Sequence, residues 1–261
     1  MTEGRMKKLW PAVFAAFVAS PAVSADIGSI IKAPPAVVVA NSWTGSYVGI
    51  HAGYGWQNTS VDISVVGDPT NDSESIPRSL HTAPAGFMGG GQIGYNTQFG
   101  SFLLGVEADI SYAHIKGSDS AAPNVAGFDV KLTSAQQQID WFGTVRGRIG
   151  WVPFDRSLFY ATGGLAYGHV KLSNSIISQT VGCAGGGFCT SDSISRLRAG
   201  WTAGAGWENM LTERLSAKAE YLYYDLGTLS LADPPTGGVV FRVDNAQFRG
   251  NIVRFGLNYK L

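Results

Sequence analysis

Nine charged residues stand out by their spacing. Glu107 and Asp109, Arg146 and Arg148, and Lys218 and Glu220 each lie two positions apart, and Glu208, Arg254 and Lys260 fall in comparable slots of other alternating runs. Side chains two apart in a β-strand share a face, so each pair is aimed at one side of a sheet. Four acids and five bases collected there predict an ion-pair network with Arg146 and Arg148 at its centre, because an isolated buried ion costs several kcal/mol. The alternative is a set of independent charges in a water-filled space.

Other chemistry is sparse. Cys183 and Cys189 flank Ala184-Gly185-Gly186-Gly187-Phe188, which is flexible enough to close a small loop. An even cysteine count in an exported chain points to a disulfide, whereas a metal site needs further ligands and none is near in sequence. His51, His81, His114 and His169 are widely separated and lack metal-ligand spacing. The Gly-Gly-Gly runs at 89–91 and 185–187 do not open a helix after a strand, so they are not phosphate loops. No nucleophile motif is present, and the expectation is no catalytic residue, no metal and no cofactor. Catalysis would have to come from Ser or Asp groups on connecting segments.

The elements that must position the charges are strands. In Asn251–Leu261 the apolar residues Val253, Phe255, Leu257, Tyr259 and Leu261 alternate with Arg254, Gly256, Asn258 and Lys260. The same period recurs at 43–56, 86–99, 102–114, 139–151, 157–172, 197–210 and 216–224, with the facing of 157–172 left ambiguous by Gly163-Gly164. The connections alternate strictly. Short ones of 2 to 5 residues separate long ones of about 19 to 29, the latter near 57–85, 115–137, 173–196 and 227–245. A soluble sandwich has no reason to keep that alternation. An outer-membrane barrel does, with short periplasmic turns and long external loops. Aromatics near strand ends, among them Tyr54, Trp56, Trp141, Trp151 and Tyr259, fit interfacial girdles. The expected fold is therefore all-β: an eight-stranded antiparallel up-and-down transmembrane β-barrel over 43–261, its polar face turned to the lumen.

Targeting and composition agree. Arg5, Lys7 and Lys8 precede a mostly apolar run from Leu9 to Val23, and Val23-Ser24-Ala25 is a small-x-small cleavage site. Residues 1–25 are expected to be a cleaved signal peptide, and 26–42, with Pro34-Pro35, a periplasmic N-terminal linker. The leader carries net +2, so a formally neutral chain leaves −2 after cleavage and offers nothing for nucleic acid. No later apolar run approaches helical spanning length. The mean hydropathy of +0.06 does not exclude membrane insertion, because alternating strands average out.

Six stretches in order, Y-V-G-I-H-A-G-Y-G-W (47–56), W-F-G-T-V-R-G-R-I-G (141–150), Y-A-T-G-G-L-A-Y-G (160–168), G-W-T-A-G-A-G-W-E (200–208), A-K-A-E-Y-L-Y-Y-D-L-G (217–227) and V-R-F-G-L-N-Y-K-L (253–261), resemble the small outer-membrane β-barrel, porin-family immunogenic proteins of alphaproteobacteria. These are distant relatives of opacity and OmpA-type barrels. The resemblance implies a cell outer membrane location, lipid as surroundings and exposed antigenic loops. It also implies a terminal strand read by the barrel-assembly machinery through Gly256, Tyr259 and the last residue, Leu261, where family members usually carry Phe. The expected function is a structural and surface-antigen role with at most a narrow pore. The alternatives are a loop-based binder of host surfaces or of a small ligand such as haem, for which loop three with its two cysteines is the best candidate, and a small-solute porin.

Overall fold

The computed structural model describes residues 42–66, 75–185, 189–232 and 240–261. The leader and almost all of the expected linker lie outside the described residues, as do Pro69 and Pro234-Pro235. Among the described residues there are ten strands: β1 (Gly45–Trp56), β2 (Thr59–Val66), β3 (Ser79–Thr82), β4 (Ala85–Phe99), β5 (Phe102–Ala121), β6 (Lys131–Phe154), β7 (Ser157–Ser178), β8 (Cys189–Met210), β9 (Leu215–Ala232) and β10 (Val240–Lys260). Eight of them, β1 and β4 to β10, pair antiparallel with their neighbours, and β1 closes on β10 from Tyr47↔Lys260 to Trp56↔Asn251. Closure leaves no strand edge in the ring. The two-residue turn Gly100-Ser101 depends on Gly100 at φ 61°, a left-handed conformation suited to such a hairpin.

Two expectations are corrected. The segment 57–85 is not simply a loop: β2 continues the wall beside β10, from Val240↔Val66 to Asp244↔Asp62, and β3 pairs with β2. The other long segments are largely strand as well, since β5 runs on to Ala121, β6 begins at Lys131, β7 reaches Ser178, β8 begins at Cys189, β9 reaches Ala232 and β10 begins at Val240. The cause is a change of sidedness along single strands. In the lower part of β6, Val145, Ile149 and Trp151 face outward while Thr144, Arg146 and Arg148 are buried inside. Higher up, Ile139 and Ala135 are buried inside, and Gln138 and Gln136 lie on the outer face. β5 behaves alike: Leu104, Val106, Ile110 and Tyr112 are exposed outward, then Ala113 and Ile115 turn inward past exposed His114 and Lys116.

The switch marks a change of solvent. Below it, apolar side chains cover the outer wall, which is stable only against lipid. One aromatic ring of this belt contains the pairs Tyr54–Phe87 (5.1 Å between centroids), Trp141–Tyr167 (6.0 Å) and Trp201–Tyr223 (5.3 Å). The other contains Phe99, Phe102, Trp151, Phe159, Trp207 and Tyr259, all exposed. Trp141 and Trp151 are ten residues apart on one strand, about 25 Å along the membrane normal at ordinary rise and tilt. Above the upper ring, Val61, Leu80, Ile115, Phe142, Val170, Leu172, Ile176, Tyr224 and Phe248 form an apolar core inside the wall.

The upper half is also no longer a closed ring. Pairing between β4 and β5 stops at Ala85↔Lys116, and that between β8 and β9 at Trp201↔Asp225. Above these seams β5-β6-β7-β8 faces β3-β2-β10-β9 across the apolar core, as two sheets of a sandwich do. Side-chain hydrogen bonds bridge the seams: the His81 amide donates to Asp119 Oδ2 at 2.9 Å, and the Arg198 guanidinium donates to the Thr228 carbonyl.

The change of solvent predicts position-dependent costs. Val106→Arg, at mid-belt on the outer face, should destabilise by about 2–4 kcal/mol, whereas Ser118→Arg, outward on the same strand beyond the girdle, should stay within about 0.5 kcal/mol. Urea unfolding in lipid vesicles measures both, and equal costs would contradict the assignment of lipid below and water above.

Candidate functional site

Inside the lipid-facing half lie Glu107, Asp109, Arg146, Arg148, Glu208, Lys218, Glu220 and Arg254, four acids and four bases, all buried. Strand register assembles them. Glu107 stands opposite Arg146, Glu208 opposite Lys218 and Glu220 opposite Arg254. Further contacts cross the lumen. Lys218 Nζ on β9 donates to both Glu107 oxygens on β5 at 3.0 Å, and β5 and β9 are diametrically opposite in the ring of eight. Arg146 pairs with Glu107, reaches Glu220 at 2.9 Å and Asp109 at 3.2 Å, and also donates through Nε to Thr144 at 2.8 Å. Arg254 donates to Glu220 at 2.5 Å and to Asp109 at 2.9 Å. Arg148 donates to Glu208 at 2.7 Å and to the Tyr47 hydroxyl at 2.6 Å, and its guanidinium lies 4.0 Å from the Tyr160 ring centre.

Uncharged residues complete the cluster, and spacing of charges did not reveal them. The Tyr47 hydroxyl donates to Glu107 at 2.7 Å, Tyr160 to Glu220 at 3.0 Å, Thr144 to Asp109 at 2.5 Å, and Ser216 and Asn258 to Glu208 at 2.5 and 2.7 Å. Each sits at an inward position of a wall strand, and that parity is the signal that would have found them. His51 is also internal, between Gln92 (3.1 Å) and Ser111 (2.7 Å).

Lys260 does not belong to the cluster. It lies near the end of β10, where its amine donates to the Ser42 carbonyl at 2.5 Å. Alternation reports which face a side chain occupies and not how deep it sits. Without Lys260, the cluster carries as many acids as bases. Below the cluster, Trp43, Leu103, Val152, Leu158, Tyr160 and Met210 pack together, and above it begins the apolar core of the upper half.

The other residues singled out by type or spacing are dispersed over the molecule. Cys183 and Cys189 are joined by a disulfide across the β7–β8 connection, with Cα atoms 5.6 Å apart; Gly186, Gly187 and Phe188 lie outside the described residues. Gly256 faces inward against His51 and Lys218, while Tyr259 and Leu261 are exposed on the outside. His81 lies on β3 beside Ser60, and His169 Nδ1 lies 2.8 Å from Asp140 on the outer wall. Among the described residues no group of three or more His, Cys, Asp or Glu could hold a metal ion.

Removing one member of the cluster leaves the others unmatched while still buried. Arg146→Met strips a partner from Glu107, Asp109 and Glu220 together and should cost about 3–5 kcal/mol. The readout is the midpoint temperature at which the folded band shifts on a gel. An unchanged midpoint would mean that the charges are separately solvated.

Residues 12–260 match the family described as outer membrane protein beta-barrel domain. The 31 kDa outer-membrane immunogenic protein of Brucella melitensis is 37% identical over 271 aligned positions, which cover 98% of this chain and all of that protein. The 22 kDa outer membrane protein of Rhizobium leguminosarum is 34% identical over 188 positions, 71% of this chain and 65% of that one. The crystal structure of OprG from Pseudomonas aeruginosa is 13% identical with a TM-score of 0.47, covering 85% of this chain and 99% of that one. The ring of strands, its lipid-facing belt and the family match agree: this chain is an outer-membrane protein and belongs to the outer membrane protein β-barrel domain family.

Proposed function

We propose that this protein is a closed, non-conducting barrel that holds a large folded surface outside the membrane, with a structural and antigenic role and no enzymatic activity. The observation carrying this reading is the Lys218–Glu107 pair, which ties opposite walls of the ring together with both side chains fully buried. Arg146 and Arg254 add bonds on either side, and apolar clusters cover the ion pairs above and below. An ion crossing this lumen would have to break several buried charge-assisted bonds at once.

On this reading residues 1–25 direct export and are removed, 26–42 form a periplasmic linker, and the terminal strand, through Gly256, Tyr259 and Leu261, is the part presented to the barrel-assembly machinery. Contacts with host surfaces or small ligands fall to the external half, where the Cys183–Cys189 bond pre-orders one tip.

Planar-bilayer recording tests the closed lumen. Protein shown to be folded by its unboiled gel mobility should give no stable conductance steps. Steps whose size follows salt concentration would assign diffusion as the function and make the internal charges a selectivity lining.

A further inference from the structure

His51 is buried at the upper end of the charge cluster, where the apolar core begins. Gly90 stands opposite it on β4 and opposite Ser111 on β5, and Ser111 in turn stands opposite Phe142 of the core. The ring is held at both nitrogens, Nδ1 by Gln92 at 3.1 Å and Nε2 by Ser111 at 2.7 Å. The hydrogen bonds beyond Gln92 fix which nitrogen carries the proton. The Glu208 carboxylate only accepts, so Asn258 turns its Nδ2 to it, at 2.7 Å. Asn258 therefore presents Oδ1 to Gln92, which donates to it through Nε2. Gln92 is left with Oε1 toward His51, so the imidazole proton sits on Nδ1, and Nε2 accepts from the Ser111 hydroxyl. One directed chain thus runs from Ser111 on β5 through His51, Gln92 and Asn258 to Glu208 on β8.

The charges around the ring are unequal. Lys218 from β9 and Arg254 from β10 face it against one acid, Asp109 from β5, while β4 contributes the neutral Gln92. A Cβ on Gly256 would lie 3.3 Å from both His51 Cβ and Lys218 Cε, so the two side chains meet over that glycine. Asp109 is already bonded to Arg254 at 2.9 Å and to Thr144 at 2.5 Å. The cluster balances its four acids against its four bases only while the imidazole is neutral. A proton on Nε2 would set five positive groups against four, and would aim an N–H at the hydroxyl that now donates to that nitrogen.

We propose that His51 is an acid-sensitive latch on the charge cluster. Neutral, it completes a matched lumen; protonated, it leaves one cation in excess beside Lys218 and Arg254 and loosens the barrel from within. This goes beyond the closed-barrel reading and does not depend on it, because it concerns the proton balance of the cluster and not the passage of ions. The unfolded chain carries the same proton freely below about pH 6.5, and only the folded state has to bury the extra charge. Stability is therefore full above that pH and falls as the pH drops below it.

The test uses the full folded protein. In detergent micelles, nitrogen-15 shifts of the histidine rings, with His51 identified as the signal missing from His51→Gln, should show a neutral ring with its proton on Nδ1 at about pH 7.5. In lipid vesicles, urea unfolding between about pH 7.5 and about pH 5 should show the wild type losing up to about tenfold in folding constant per pH unit relative to His51→Gln, the slope of one proton. His81, His114 and His169 are present in both proteins, so their titration cancels. A neutral ring protonated on Nε2, or the same pH curve for wild type and His51→Gln, would overturn the proposal. Should His51→Gln not fold, the wild type decides alone: a buried ring that takes its proton at the same pH in the folded barrel and in the urea-unfolded chain overturns the latch.

Discussion

Charge neutrality in a buried, protein-lined space is the constraint from which the rest of this structure follows. Eight strands enclose an interior that side chains fill, and here eight of those side chains are ions. Glu107 is the centre of the arrangement: Arg146, Arg148, Lys218 and Tyr47 all place a donor on it. Its position on β5 faces Arg146 on the neighbouring strand and Lys218 across the ring, so both the pairing register and the ring's circumference must be held for the charges to cancel. Two glycines make room for the tyrosines that join in. A Cβ on Gly94 would overlap the Tyr47 ring, and one on Gly206 would overlap that of Tyr160.

The second constraint is the change of surroundings along each strand. A strand exposes one face to whatever lies outside the barrel and the other to whatever fills it. In the lipid belt the outer face must be apolar, and the interior is free to be polar if its charges are matched. Beyond the aromatic ring the outer face meets water, and the interior is stabilised by ordinary burial of Phe142, Val170, Leu172 and their neighbours. One protein thus uses two opposite solutions for its core, stacked end to end on the same strands.

How much of this was legible in the sequence follows from that inversion. The eight wall strands and the facing of the charged residues could be read because alternation is strict in the lipid belt. The upper halves could not, because their apolar residues shift to the other parity among serines and glutamines that look like loop. β7 shows it best. Phe159 and Leu165 face outward and Ala166, Val170, Leu172 and Ile176 inward, which is why the facing of 157–172 stayed ambiguous. β2 and β3 were hidden for another reason: each is short, β2 finds its place only against β10, and β3 only against β2. The charge cluster was legible by parity; its uncharged members Tyr47, Tyr160 and Asn258 share that parity but carry no charge to single them out, and depth misplaced Lys260.

The two seams have a consequence for how such a protein can diversify. In the closed ring, an inserted residue would shift the register of every neighbour until the circle no longer met. Where β4 parts from β5 and β8 from β9, that circular dependence is cut. Each outer sheet can gain or lose length in its own hairpins while the charged ring beneath keeps its register. The outward surface is therefore free to drift rapidly under selection, carried on a foundation that tolerates almost no drift at all.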